Sequence, residues 1–221
     1  MSRLLAVSDI HGHGHLLKQL LAASGYNPDK DCLVLLGDYV NKGPDSWGTL
    51  QLVHDLTQKG AIALQGNNER KWLRSMPDSI PASHDEIANV RKFLDQMPLW
   101  YICDSYLFVH AGIRPGIPLD HQTAEDLTEI RQPFFESPVN PEYTIVFGHT
   151  STYRFLVPPW QIWIGAGKMG IDTGAGHGYY VSLIDLTHRL QWYISVHSPS
   201  TVRCSVIPGT SGGLEDKSIY S

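Results

Sequence analysis

Five short apolar runs in this chain each end in a polar residue beside a glycine, and that recurrence constrains the fold more than any other feature. Residues 4–8 give way to Asp9-Ile10-His11-Gly12, and residues 32–36 to Gly37-Asp38. Residues 61–64 run into Gly66-Asn67-Asn68-Glu69, residues 106–109 into His110-Ala111-Gly112, and residues 144–147 into Gly148-His149-Thr150. Apolar runs this short, bounded by turn signals, read as strands covered on both faces. Leu16, Leu17, Leu20 and Leu21, then Leu50, Val53 and Leu56, recur at helical spacing between the first three runs. The opening is therefore β-α-β-α-β, with polar residues just past each strand's carboxyl end, the edge at which open α/β sheets bind ligands.

Beyond these runs, residues 76–98 are polar and broken by prolines, with one amphipathic helix expected around 87–94. They read as a helical insertion. Residues 169–172, 180–186 and 190–196 alternate like antiparallel strands. From Ser198 onward Ser, Pro and Gly accumulate, and the final ten residues are expected to be loosely held. The expected organisation is one domain over 1–198, containing the 76–98 insertion, followed by an extension over 199–221. At 221 residues the chain can bury one substantial core.

Bulk chemistry excludes several classes. Net charge is −5 and no Lys/Arg stripe occurs, so a nucleic-acid backbone is not an expected partner. No apolar stretch is long enough to span a membrane, and the apolar start is too short for a signal peptide. Cys32, Cys103 and Cys204 form no pairing framework or metal knuckle and read as thiols of a reducing cytoplasm. A monomer or small homo-oligomer is expected.

The chemistry resides at the strand ends. A single His or Asp after a strand is commonly a cap or turn residue. Five such ends in succession, each beside a Gly that lets backbone approach a crowded centre, make that reading improbable. Carboxylate, imidazole and amide oxygen together suit Mn, Fe or Zn better than Ca or Mg. One carboxylate can bridge two such cations, which then polarise a phosphoryl oxygen and acidify a shared water.

These same five segments, with Gly37-Asp38-Tyr39-Val40-Asn41-Lys42-Gly43 as the second, resemble the successive motifs of the phosphoprotein phosphatases of the calcineurin-like metallophosphoesterase superfamily. The 170–175 stretch is similar to one in bacterial members. The resemblance implies an α/β fold, a four-layer αββα sandwich with two central mixed sheets. It implies one divalent metal on Asp9, His11 and Asp38, and a second on Asp38, Asn67, His110 and His149, with Mn expected and Fe or Zn as alternatives. It implies hydrolysis of phosphate monoesters by in-line attack of a metal-bridging hydroxide, as in bacterial serine/threonine, dual-specificity or tyrosine phosphatases acting on phosphorylated proteins or peptides. Asn41-Lys42-Gly43-Pro44 also resembles symmetrical diadenosine tetraphosphate hydrolases, which makes a nucleotide substrate the alternative.

Two departures from the family pattern stand out. Lys42 occupies the position of a phosphate-binding Arg, keeping the charge and losing the bidentate fork. Arg131 falls where related bacterial enzymes place a second phosphate-binding Arg. Asn68 and Asn41 replace the His and Asp that together deliver a proton to the leaving oxygen. A carboxamide has no titratable proton near neutrality, so Asn68 cannot serve as a general acid. His177, with His13 as alternative, is the expected substitute donor. The cost of lacking a general acid is small for phenolate or nucleotide leaving groups and large for a serine alkoxide. Aryl esters and anhydrides are therefore the expected substrates. Loss of the dyad also admits a different class of protein, a catalytically weak metal- or phosphate-binding module. Trp160, Trp163, Tyr179 and Tyr180 are expected to pack on a sheet face rather than to form a base-stacking platform.

Overall fold

The computed structural model describes residues 2–138 and 142–208. Each apolar run becomes a strand. Strands β1 (Leu4–Val7), β2 (Cys32–Leu35) and β3 (Ile62–Ala63) alternate with helices α1 (Gly14–Ala23) and α2 (Ser46–Thr57). Helix α3 (Asn67–Arg74) follows β3 directly, and α4 (His84–Asp95) is the helix expected inside the insertion. Then come β4 (Trp100–Cys103), β5 (Tyr106–Val109), α5 (Ala124–Glu129), β6 (Thr144–Phe147), β7 (Trp163–Gly165) and β8 (Lys168–Gly170). The described chain closes with β9 (Tyr180–Asp185), β10 (Leu190–Ser195) and β11 (Arg203–Val206).

Two mixed sheets result, ordered β11-β10-β9-β1-β2-β3 and β4-β5-β6-β8-β7. Strand side chains alternate between faces, and here both faces are covered. Leu5, Val7, Leu33 and Leu35 join the core under α1 and α2, whereas Leu4, Ala6, Val34 and Leu36 meet Phe108, Val146 and Met169 of the second sheet. Leu107, Val109, Ile145 and Phe147 face outward onto Leu127, Ile130 and Phe134. This is the expected layering, and it explains why the central strands are apolar at every position rather than at alternate ones. The insertion packs Leu94 and Met97, with Val90 and Phe93, onto the first core.

The sheets correct two expectations. Residues 168–170 pair in parallel with β6 in the second sheet and antiparallel only with β7. Their alternation was thus a poor guide to pairing. The stretch expected as an extension from 199 contributes β11, an edge strand paired with β10. Residues 209–221, the rest of that stretch, lie outside the described residues. No helix among the described residues is long and apolar enough to cross a membrane.

Candidate dinuclear metal centre

Strands β1, β2, β3, β5, β6 and β8 release their chains toward one place, and the backbone there is strained. Asp9, His11, Asp38, Asn41, Lys42 and His149 all adopt positive φ, between 44° and 68°. Non-glycine residues in this region cost of order 1 kcal/mol each and persist only where surroundings over-determine them. Two glycines show what forces the approach. A Cβ on Gly37 (φ 98°) would lie 2.6 Å from Gly66 N and 2.9 Å from His110 Nδ1, and one on Gly148 would overlap Ser8 Oγ and Asp9 Oδ2.

Asp38 stands between two groups of candidate ligands. Its Oδ2 lies 3.5 Å from His11 Nε2, and its Oδ1 lies 3.4 Å from His110 Nε2. Asp9, His11 and Asp38 converge within metal-ligating distance of one another, as do Asp38, His110 and His149. Both imidazoles facing Asp38 are held by their far nitrogens: His11 Nδ1 lies 3.1 Å from the Val40 carbonyl and His110 Nδ1 lies 2.8 Å from that of Leu36. A carbonyl only accepts, so each Nδ1 carries a proton, and in the neutral ring each Nε2 turns a lone pair inward. That is the second-sphere arrangement of a metal-ligating histidine. Ser8 Oγ and the His149 main-chain N–H both donate to Asp9 Oδ2, at 2.5 and 2.9 Å, and orient that carboxylate.

Asn67 supplies the test of fit. Its Oδ1 lies 3.2 Å from His110 Nε2 and 3.1 Å from His149 Nδ1. With His110 neutral and its proton on Nδ1, oxygen and imidazole lone pair face each other with no proton between them. Rotating the amide removes this conflict in the metal-free protein, since NH2 would then face Asp38, His110 and His149, and the oxygen would accept from Lys71 Nζ at 3.1 Å. A cation resolves the same conflict with the oxygen turned inward. The donor set therefore fits a metal, and Lys71 holds the amide in the other orientation.

Burial sets the electrostatics. Asp9 is 2% exposed, and its pKa is pushed well above the usual carboxylate range by desolvation and by the charges of Asp172 and Asp38. Burial pushes Asp38 up too, but the positive charge that His110 and His11 carry when protonated, together with the Asn68 N–H, outweighs it and holds it low. Desolvation, followed by His110 and Arg131, lowers His149 to about 3. Asp9, Asp38, Glu69 and Asp172 bring four buried carboxyl groups to this edge with no buried Lys or Arg among the ligands. Divalent cations would offset that excess.

The remaining expected residues form a rim. Lys42 is exposed, with Nζ 3.1 Å from His11 Nε2. Arg131 is exposed, and its charge reaches His149. Asn41 and Asn68 are hydrogen-bonded to each other at 2.9 Å, beside Asp38. His177 is exposed, and its ring stands edge-on to Tyr153 at 5.8 Å. Among the described residues no hydrogen bond joins His177 to a candidate ligand. The neighbouring turn does approach them, since a Cβ on Gly176 would lie 2.5 Å from His11 Cδ2 and 2.8 Å from Lys42 Cδ. His13 is buried at the start of α1 and makes no side-chain cap. Of the four aromatics, Trp163 stacks on Phe155 and Tyr180 packs against Tyr193, but Trp160 and Tyr179 are 43% and 40% exposed.

Three contributors escaped the sequence reading. Asp172 comes from a sixth strand end, just past β8, where it accepts from Ser151 Oγ at 2.9 Å and Gly174 N at 2.8 Å. Glu69 accepts the main-chain N–H groups of Asp38 (2.8 Å), Tyr39 (2.8 Å) and Gly66 (2.9 Å), tying two ligand loops together. Desolvation raises its pKa to about 7 against the pull of those amides. Lys71, one helical turn after Asn67, is the third.

Two sheets delivering carboxylates and imidazoles to a shared edge define a metallophosphoesterase, a hydrolase of phosphoric esters. The chain belongs to the calcineurin-like phosphoesterase family, whose family model matches residues 2–181. The symmetrical bis(5'-nucleosyl)-tetraphosphatase of Aromatoleum aromaticum is 31% identical over 124 residues, which are 51% of this chain and 45% of the relative. The chain thus spans about half the length of the curated relatives it matches. A crystal structure provisionally named a diadenosine tetraphosphatase is 25% identical and superposes with a TM-score of 0.71, covering 93% of this chain and 94% of that one. A cold-active protein-tyrosine phosphatase of a psychrophilic Shewanella shares the fold at 14% identity, with a TM-score of 0.63 over 92% of this chain and 80% of its own.

Proposed function

We propose that this chain hydrolyses phosphoric anhydrides of the dinucleoside polyphosphate type, using two divalent metals, Mn foremost. Asp9, His11 and Asp38 would hold one metal, and Asp38, Asn67, His110 and His149 the other. When bound, the pair supplies Lewis-acid polarisation of a phosphoryl oxygen and a lowered pKa for water.

The protein's own groups supply the rest. Lys42 and Arg131 bring positive charge to the phosphoryl oxygens, where negative charge accumulates in the transition state. Lys71 adds a third cation next to Asn67, and a polyphosphate chain carries enough charge to engage all three. Asn68 can donate an N–H to the departing oxygen but cannot transfer a proton.

The observation that carries the substrate class is Asn68 in place of an acid. Lack of a positioned acid costs about 10²–10⁴-fold where the leaving group is a poor one. A nucleotide phosphate departs as a stable anion and escapes most of that cost. The likeness to tetraphosphatases supports the same class. A second reading, hydrolysis of aryl phosphomonoesters such as protein phosphotyrosine, rests on the same asparagine, and a serine/threonine phosphatase is the least favoured by it.

Turnover with added Mn on diadenosine tetraphosphate, an aryl phosphate and a phosphoserine peptide separates these readings. The expected order is anhydride, then aryl ester, with phosphoserine slower than both by about 10²-fold or more. A phosphoserine rate equal to the others overturns the proposal. Absence of hydrolysis on all three favours a binding module.

A further inference from the structure

We infer that Trp72 and Asn41 are positioning residues, which lock the Asn68 carboxamide with its N–H rather than its oxygen toward Asp38 and the departing group. Amide orientation is ordinarily ambiguous, because oxygen and nitrogen exchange places on a simple flip. Here a donor-only group breaks the ambiguity. Trp72 is 3% exposed, and its indole Nε1 lies 2.9 Å from Asn41 Oδ1. An indole N–H donates and never accepts, so that atom of Asn41 must be the oxygen. The NH2 of Asn41 then faces Asn68 at 2.9 Å, and the atom it meets must be an acceptor, Asn68 Oδ1. Asn68 is left with its NH2 toward Asp38 Oδ2 at 2.5 Å, while its main-chain N–H donates to Asp38 Oδ1 at 2.9 Å.

The direction of the whole chain is thus set at its far end. Reversing Asn68 would set its oxygen against the Asp38 carboxylate and its NH2 against that of Asn41, two unsatisfied contacts at a buried position. Only one N–H of Asn68 Nδ2 is engaged among the described residues. The second is the donor offered to the oxygen that departs, at fixed orientation and with no proton to lose. The relay consequently stabilises a leaving group that departs as an anion, and it cannot rescue one that needs protonation.

This inference rests on the hydrolase reading for its kinetic consequence but not for its geometry, and the test uses both. Trp72→Phe removes the indole N–H and keeps the ring. Asn41→Gly removes the amide and suits the positive φ of 68° at that position. In metal-free and Mn-free Zn-loaded protein, NMR of the Asn68 side-chain amide and the Trp72 indole should show slow exchange. Exchange of the Asn68 amide should accelerate about tenfold in either variant. On an aryl phosphate, each variant should lower kcat by about threefold to tenfold with KM unchanged. In an Asn68→Ala background neither should have any further effect, because both act through that residue. Full additivity in that background, or an Asn68 amide unchanged in both variants, overturns the inference. If no variant and no parent hydrolyses any phosphate ester, the hydrolase reading fails while the NMR result still decides the relay.

Discussion

The floor of the centre and its rim are built by different rules. Floor residues sit at strand ends, at most 7% exposed for Asp9, His11, Asp38, Asn67 and His110, and are held by main-chain groups on several sides. Rim residues Lys42, Arg131 and His177 are exposed, on turns, with few partners. A floor that costs strained backbone and four buried carboxyl groups can be maintained only if ligand geometry is constrained together. A rim free of those constraints can change one residue at a time. The differences from the family pattern fall accordingly: all six candidate ligands are present, and the departures are at Lys42 and at the Asn41–Asn68 pair between floor and rim.

Mutations test that division, beginning with the largest effect. Asp38→Asn removes the charge facing both ligand groups and should lower kcat/KM by about 10³-fold or more, with loss of bound metal measured by elemental analysis. Lys42→Ala should cost only about 10- to 100-fold at unchanged metal content, and Lys42→Arg should retain most activity. Equal losses from Asp38→Asn and Lys42→Ala would break the distinction between floor and rim. Glu69→Gln turns an NH2 toward main-chain donors and should reduce stability by about 1–3 kcal/mol in denaturant titration.

The smallest effect lies away from the centre. Arg3 binds Asp31 through two bonds of 3.0 and 2.6 Å and also caps the carbonyls of Ser24 and Gly25. The guanidinium hydrogen bond holds the Asp31 pKa below its ordinary 3.8. The folded state thus keeps this carboxylate ionised at pH values where the unfolded state has begun to protonate it. The stabilisation is complete above the unfolded value and is lost as pH falls through the folded one. Asp31→Asn should cost about 1 kcal/mol near neutrality and progressively less in acid, with kcat/KM unaltered at pH 7. Urea titrations at several pH values measure this directly.

Much of the floor was readable because its signals are local. Strands β5 and β6 fall at 106–109 and 144–147 as expected, since uninterrupted apolar residues between turn signals leave few alternatives. Strand β4 was missed although Trp100-Tyr101-Ile102-Cys103 is an apolar run, because it sits at a sheet edge, half-buried or exposed, and no ligand motif follows it to mark it as a strand. Helix α3 was missed because beyond the motif only Trp72 of its residues is buried, leaving no apolar period to detect. Asp172 was hidden for another reason: its strand pairs with β6, whose partner residues lie 23 positions earlier in the chain, and nothing local reveals that placement. The roles of Trp72 and Lys71 depend on tertiary approach across α3, so composition and spacing carry no trace of either. The rim is hardest to read, since exposed Lys, Arg and His are common whether or not they meet a substrate.

Anomalous diffraction from Mn-soaked crystals tests the centre most directly. Two peaks should appear, one among Asp9, His11 and Asp38 and one among Asn67, His110 and His149, with the Asp38 carboxylate between them and the Asn67 oxygen turned inward. A single peak away from Asp38, or none at saturating Mn, would contradict the account.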